Sequence, residues 1–139
     1  MKIQIHSPRT IGGTVALPGD KSISHRAAIL NSLAGGRATV SNFSPGADCA
    51  ATIRCLRSLG VDISRVRSDS DSKQDLNIVI TGNSEKKLRE SENVLNAANS
   101  GTTMRLLTGV LGGQPFFSVI TGDRSLRSRP MDRVIKPLR

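Results

Sequence analysis

The chain has 139 residues, and 20 basic against 11 acidic side chains give it a net charge of +9. At about 150 residues per domain this is one domain at most, and 37% hydrophobic with 22% charged residues is a globular composition, not a disordered one. No run nears the ~18 apolar residues of a membrane span and MKIQIHSPRT lacks the apolar stretch of a signal peptide, so a soluble, cytoplasmic chain is expected.

Two alternating segments open the chain, Lys2 to His6 and Thr14 to Leu17 after the Gly12-Gly13 turn, and read as a pair of strands. Pro18-Gly19 breaks the chain. From Lys21 to Ala34, Ile23, Ala27, Leu30 and Ala34 recur at helical spacing, and Gly35-Gly36 end the pattern. Ala38 to Phe43 reads as a strand. Asp48 reads as the N-cap of a helix carrying Ile53, Leu56 and Leu59 and stopped by Gly60. Val61 to Val66 and Leu76 to Thr81 read as strands, joined by the solvated Ser/Asp-rich loop Ser68–Lys73.

Residues 83–93 are polar and charged, a surface connection. Ser100-Gly101-Thr102-Thr103 opens a helix with Met104, Leu107 and Leu111 on one face, closed by Gly112-Gly113. Phe116 to Thr121 reads as a strand. After a basic loop, Val134, Ile135 and Leu138 begin an amphipathic turn that nothing beyond Arg139 caps or covers. The order of elements is that of an α/β protein with roughly a βαβαββ unit in its middle, read as the front part of a larger one.

Cys49 and Cys55 are in no metal-ligand spacing and read as two reduced, packed thiols. No His/Cys/carboxylate cluster suits a metal and no Ser-His-Asp set can be assembled. A pI near 10.8 calls for an anionic partner: nucleic acid, an anionic membrane surface or a small polyanion. Three Phe, no Tyr and no Trp give no stacking platform for single-stranded nucleic acid. The basic residues are dispersed beside Gly, Ser and Thr at expected helix starts, which suits discrete oxyanion pockets better than a phosphate track.

Three segments are candidates for such pockets. In Pro18–Arg26, a Pro-Gly turn leads into a helix start whose backbone N–H groups face an anion; Lys21 stands at the entrance, and Ser22 and Arg26 share a face. The G-x-x-x-x-G-K-[ST] spacing of a P-loop is missing, and an ordinary capped helix with solvated cations is the plainer alternative. In Asn99–Thr103, Gly101 lets a ligand approach the backbone at the next helix start, and Arg105 follows it; a plain Ser/Thr cap is the alternative. In Thr121–Met131, Arg124, Arg127 and Arg129 crowd together and Pro130 marks a helix start; a solvated basic loop is the alternative. His25 beside Arg26 reads as structural or solvated, and His6 has no role.

These segments together resemble the 5-enolpyruvylshikimate-3-phosphate synthase (3-phosphoshikimate 1-carboxyvinyltransferase) family. The matching text is Leu17-Pro-Gly-Asp-Lys-Ser-Ile-Ser-His-Arg26, then Asn99-Ser-Gly-Thr-Thr-Met-Arg-Leu-Leu107, then Thr121-Gly-Asp with Ser125-Leu126 and Arg129-Pro-Met131. The resemblance spans essentially the whole chain and about the first third of a family member. It implies a fold of two globules built from βαβαββ units, with residues 1–19 belonging to the other, C-terminal globule and residues 20–139 forming an incomplete N-terminal one.

The reaction implied transfers the enolpyruvyl group of phosphoenolpyruvate to the 5-hydroxyl of shikimate 3-phosphate by addition and elimination, releasing phosphate. It uses no cofactor and no metal, in a monomeric, cytoplasmic parent enzyme. By the same resemblance Lys21, Ser22 and Arg26 hold shikimate 3-phosphate, Lys21 also reaches phosphoenolpyruvate as the catalytic group, and Gly101 and Arg129 complete the phosphoenolpyruvate site. Asp48 and Asn99 are secondary cleft residues. Gly101 further implies the glyphosate-sensitive type.

One departure is Ala97-Ala98, where the family often has Cys-Gly or Ala-Gly, a change expected to tighten the loop. Because the acid/base carboxylates implied by the resemblance lie downstream, the 139 residues alone are expected to be inactive. The alternatives are the related transferase acting on UDP-N-acetylglucosamine and a non-catalytic basic module binding anions or nucleic acid. Neither nucleic acid nor a membrane is the expected partner.

Overall fold

Asp20 starts the first helix: its carboxylate accepts the N–H of Ile23 at 2.7 Å, and α1 runs Lys21–Leu33. The computed structural model describes residues 3, 4, 7, 10, 12–15, 17–66, 76–82 and 88–139. After α1 come β1 (Gly36–Val40), α2 (Ala47–Ser58), β2 (Asp62–Val66), β3 (Asn77–Gly82), β4 (Leu95–Asn96), α3 (Gly101–Leu111), β5 (Ile120–Thr121), α4 (Arg124–Arg127) and α5 (Asp132–Leu138). Helices and sheets are mixed as the α/β reading requires.

The face that α1 buries is not the expected one. Ile23 and Leu30 are exposed, at 69% and 64%, while Ser24, His25, Ala28, Ile29 and Ser32 face inward. Inward-facing polar groups are tolerable because they are bonded: Ser24 Oγ accepts the Ser44 N–H at 2.9 Å and Ser32 Oγ donates to the Ala28 carbonyl at 2.7 Å. Small side chains also let other chain segments come close; a methyl on Gly82 would run into the carbonyl oxygens of Asn31 and Ala34. Apolar periodicity located the helix, but close approach chose its buried side.

Helix α2 begins two residues earlier than an Asp48 cap implies. Gly46 is the N-cap, and Asp48 lies inside the first turn, where its charge still opposes the helix dipole favourably. The helix ends as its sequence suggests: Gly60, at φ +88°, donates to Arg57 O at 2.9 Å and Val61 donates to Leu56 O at 3.0 Å, the paired bonds of a Schellman motif.

The main sheet has the order β1-β3-β2, with β3 antiparallel to both neighbours; Ala38 pairs with Ile80, and Ile80 with Ile63. Ile78, Val79 and Ile80 in the central strand are all buried. They join Ile29, Phe43, Leu56, Leu59, Ile63 and Leu107 in the core, and Ala97, Met104 and Leu126 form a smaller cluster under α3.

Two further expectations change. The Phe116–Thr121 strand shrinks to Ile120–Thr121, paired in parallel with the two-residue β4, and Phe117 is exposed. So short a strand carries no alternation to read. Of the two opening strands, Ile3, Gln4, Thr14, Val15 and Leu17 belong to no strand, and Lys2, Ile5, His6 and Ala16 lie outside the described residues. Ile3, Val15 and Leu17 are at least 75% exposed, and an isolated two-stranded hairpin without a covered apolar face is marginal in water. The Ser68–Lys73 loop also lies outside the described residues. Among the described residues no helix is long and apolar enough to cross a membrane.

Candidate anion-binding site

The turn at Pro18-Gly19 is aimed by the loop after β1. Asn42 takes the left-handed conformation (φ +49°), donates from Nδ2 to Leu17 O at 3.2 Å and donates its backbone N–H to Asn77 Oδ1 at 2.9 Å. Gly19 lies so close that a methyl there would overlap the Asn42 carbonyl. The turn delivers Lys21 to the mouth of α1, where its Nζ meets Asp48 Oδ2 at 2.9 Å. That hydrogen bond, then the charge of Asp48, holds the Lys21 ammonium above its usual pKa range, so it is a fixed cation with donors to spare.

Ser22 and Arg26 share the exposed side of the same helix, and Arg26 Nη1 folds back onto Ser22 O at 3.1 Å. The expected open N-terminus is partly filled. Asp20 takes the Ile23 N–H through its side chain and the Ser24 N–H through its carbonyl. An anion here therefore meets side-chain cations more than free backbone donors.

Helix α3 starts at Gly101 behind Ser100, whose Oγ accepts the Thr103 N–H at 3.1 Å. Just upstream, Ala98 sits at φ +52°, a left-handed position that glycine occupies without strain. Its N–H is fastened to Asn96 Oδ1 at 2.8 Å, and its carbonyl accepts the Asp123 N–H at 2.8 Å. The Ala-Ala pair is thus accommodated by a tied-down loop.

Asn99 is the hub of the next layer. Its Nδ2 donates to Asp123 Oδ2 at 2.6 Å, and its Oδ1 accepts Arg129 Nη2 at 2.8 Å. Asp123 in turn caps α4 by accepting the Leu126 N–H at 2.7 Å. Arg105, one turn into α3, donates from Nη2 to Pro130 O at 3.1 Å. Both guanidiniums converge on Gly101: a methyl there would lie 2.6 Å from Arg105 Nη1 and 3.2 Å from Arg129 Nη1.

Gly101 and Arg129 are therefore brought together, as are Lys21 and Asp48, and Ser22 with Arg26. Arg105 is the residue whose weight the sequence left open, although its i, i+4 spacing from Gly101 already put both on one helix face. Arg124 and Arg127 are exposed on α4, and Pro130 lies two residues before the first residue of α5 and not at the helix start. Cys49 and Cys55 are buried and free, and burial pushes both thiols up, which leaves them poor nucleophiles. Among the described residues no group of His, Cys, Asp and Glu is placed to hold a metal ion.

The Asp123 contacts carry a prediction. Hydrogen bonds from Asn99 and from the Leu126 N–H hold its carboxyl below the ordinary value of 3.8. A depressed folded pKa stabilises the cap above the ordinary value, and that contribution is lost as pH falls through the folded one. The Leu126 amide shift, followed by NMR as acid is added, is expected to move with a midpoint below 3.8. A midpoint at or above it would show the cap is not formed.

Two guanidiniums over the side-chain-free Gly101 suit phosphate and carboxylate oxygens, and so, on α1, do the Lys21 ammonium and the Arg26 guanidinium. A cavity of about 240 Å³, lined by Phe43, Ile53 and Ile78 and by Arg54, Arg57 and Arg65, contains none of these groups.

Residues 5–139 match the family described as EPSP synthase (3-phosphoshikimate 1-carboxyvinyltransferase). Similar proteins include the 3-phosphoshikimate 1-carboxyvinyltransferases of Chloroflexus aggregans, 49% identical, and Desulforudis audaxviator, 53% identical, each over 138 residues covering 99% of this chain and 30% of the relative. The EPSP synthase structure from Acinetobacter baumannii superposes with a TM-score of 0.79 at 40% identity over 91% of this chain and 27% of that one. The chain thus spans about 30% of the length of the relatives it matches. With three motifs, the family match and the superposed fold in agreement, this chain belongs to the EPSP synthase family.

Proposed function

We propose that this chain supplies part of the substrate grip for enolpyruvyl transfer from phosphoenolpyruvate to the 5-hydroxyl of shikimate 3-phosphate, with release of phosphate. The observation that carries this reading is the convergence of Arg105 and Arg129 on Gly101 at the start of α3. Lys21, Ser22 and Arg26 hold shikimate 3-phosphate. Gly101 and Arg129 hold phosphoenolpyruvate, with Arg105 beside them. Lys21 reaches both and stabilises charge as it moves onto the departing phosphate. Asp48 orients Lys21, and Asn99 orients Arg129. Both substrates are polyanions, which accounts for a net charge of +9 without invoking nucleic acid.

In the same reading, residues 1–19 pair with the second globule, residues 20–139 begin the first, and the enzyme is a cytoplasmic monomer that needs no cofactor. The exposed Val15 and Leu17 support that placement of the N-terminal segment. The 139 residues by themselves turn nothing over.

The test joins this chain to the remaining two thirds of the Desulforudis relative, in place of its own matching 138 residues. The joined enzyme is expected to release phosphate from phosphoenolpyruvate and shikimate 3-phosphate, and the isolated chain is not. Turnover with UDP-N-acetylglucosamine instead, or binding confined to random duplex DNA and falling steeply with salt, would overturn the reading.

Replacing Gly101 by alanine pushes a methyl against the tips of Arg105 and Arg129. In the joined enzyme, Gly101→Ala is expected to weaken glyphosate inhibition by at least about tenfold, with a smaller rise in the KM for phosphoenolpyruvate. Equal inhibition of both forms would remove Gly101 from the pocket.

A further inference from the structure

His25 is fully buried on α1, and nothing in the anion grip uses it. Its Nδ1 lies 2.7 Å from Thr52 Oγ1 on α2, and Thr52 Oγ1 lies 2.7 Å from Thr103 Oγ1 on α3. Thr103 Oγ1 donates at 2.7 Å to Ser100 Oγ, the hydroxyl that caps α3 immediately before Gly101. All four residues are fully buried, at 0% exposure. One continuous chain of short hydrogen bonds therefore crosses three helices, near the ends that present Lys21, Asp48 and Gly101.

The chain has a direction. Thr103 Oγ1 also lies 3.3 Å from the carbonyl oxygen of Asp48, which can only accept. The single Thr103 proton goes to Ser100 Oγ at 2.7 Å, the shorter of its two acceptor contacts, and so is not on the Thr52 side. Thr52 donates to Thr103, and its own oxygen is left to accept the Nδ1–H of His25. The opposite polarity would reverse the bond that Thr103 donates to Ser100. It would also put a hydrogen on His25 Nε2, which is buried with no partner, and orphaned buried donors are rarer than under-satisfied acceptors.

We propose that His25, as the neutral Nδ1–H imidazole, is a positioning residue that sets the spacing between the Lys21–Arg26 face of α1 and Gly101 at the start of α3. The functional consequence rests on the anion-site reading above; the geometry does not. Burial pushes the imidazole below its ordinary range, reinforced by Lys21 and Arg26 and opposed by Asp48, so it keeps a single form through neutral pH. A neutral ring also adds no third cation to the Lys21–Arg26 surface.

The experiment uses the 139-residue chain labelled with ¹⁵N. Two-bond ¹H–¹⁵N correlation of the imidazole from about pH 8 downward is expected to show the Nδ1–H pattern, with protonation setting in only below the ordinary 6.5. His6, the second histidine, is told apart by its persistence in the His25 variants. An Nε2–H pattern, or protonation near the ordinary 6.5, overturns the proposal. His25→Leu removes the donor, whereas His25→Asn places an amide N–H where Nδ1 stands.

The leucine variant is expected to shift the Ser100, Gly101 and Thr103 amides and to raise the Kd for phosphoenolpyruvate roughly tenfold. The asparagine variant is expected to recover most of both. Identical behaviour of the two variants overturns the proposal. If His25→Leu does not fold, Thr103→Val against Thr103→Ser makes the same comparison from the α3 end, read at the His25 ring nitrogens. A wild-type chain that takes up no phosphoenolpyruvate would defeat the anion-site reading alone, and the ring and amide shifts would still decide this one.

Discussion

Arg129→Ala is expected to raise the KM for phosphoenolpyruvate by roughly ten- to hundredfold in the joined enzyme, because a charge-assisted hydrogen bond contributes about 1.5–3 kcal/mol. Asn99 steers Nη2 at 2.8 Å, which leaves Nη1 facing Gly101, so the guanidinium is held before the ligand arrives. Arg129→Lys keeps the charge but loses the planar fork, and is expected to fall between the two. Thermal stability should barely change, since Arg129 and Asn99 meet at the surface. Steady-state kinetics with shikimate 3-phosphate saturating checks this, and an unchanged KM would place Arg129 outside the pocket. Calorimetry is the companion measurement, because a chain with no Trp and no Tyr has no useful intrinsic fluorescence.

The largest stability effect is expected at Leu56. It is fully buried in α2, and its backbone carbonyl closes the Schellman motif with Val61. Leu56→Ala leaves a cavity and should cost about 2–5 kcal/mol, a large share of the roughly 5–15 kcal/mol that stabilises a domain. By thermal melting at 222 nm this corresponds to a fall of roughly 7–17 °C. Ile23→Ala is the matched control. Ile23 is 69% exposed despite lying on the expected apolar stripe, so its loss should move the midpoint by only a degree or two. Equal falls for the two variants would mean that α1 buries the Ile23 side after all.

That contrast shows where sequence reading stops. The starts of α1 and α3 were legible because their signals are local: Pro18-Gly19 ahead of Lys21, and Ser100 before Gly101. The N-cap of α2 was misplaced by two residues, since Asp48 favours a first turn as strongly as it favours a cap. Residues at the three candidate oxyanion segments were also legible, and the structure pairs Gly101 with Arg129 and Lys21 with Asp48. The Thr52–Thr103 contact was not, because those residues are 51 positions apart and nothing in their neighbours marks either one.

Composition, charge and the three motifs by themselves determined the family and the starts of α1 and α3, because caps, turns and cationic clusters act over a few residues. Only the tertiary structure decided that α1 turns Ser24, His25 and Ser32 inward, that β4 and β5 shrink to two residues each, and that Arg105 joins Arg129 over Gly101. Those outcomes depend on which distant backbones come close enough to satisfy a buried hydroxyl or fill a space, and sequence periodicity holds no record of that.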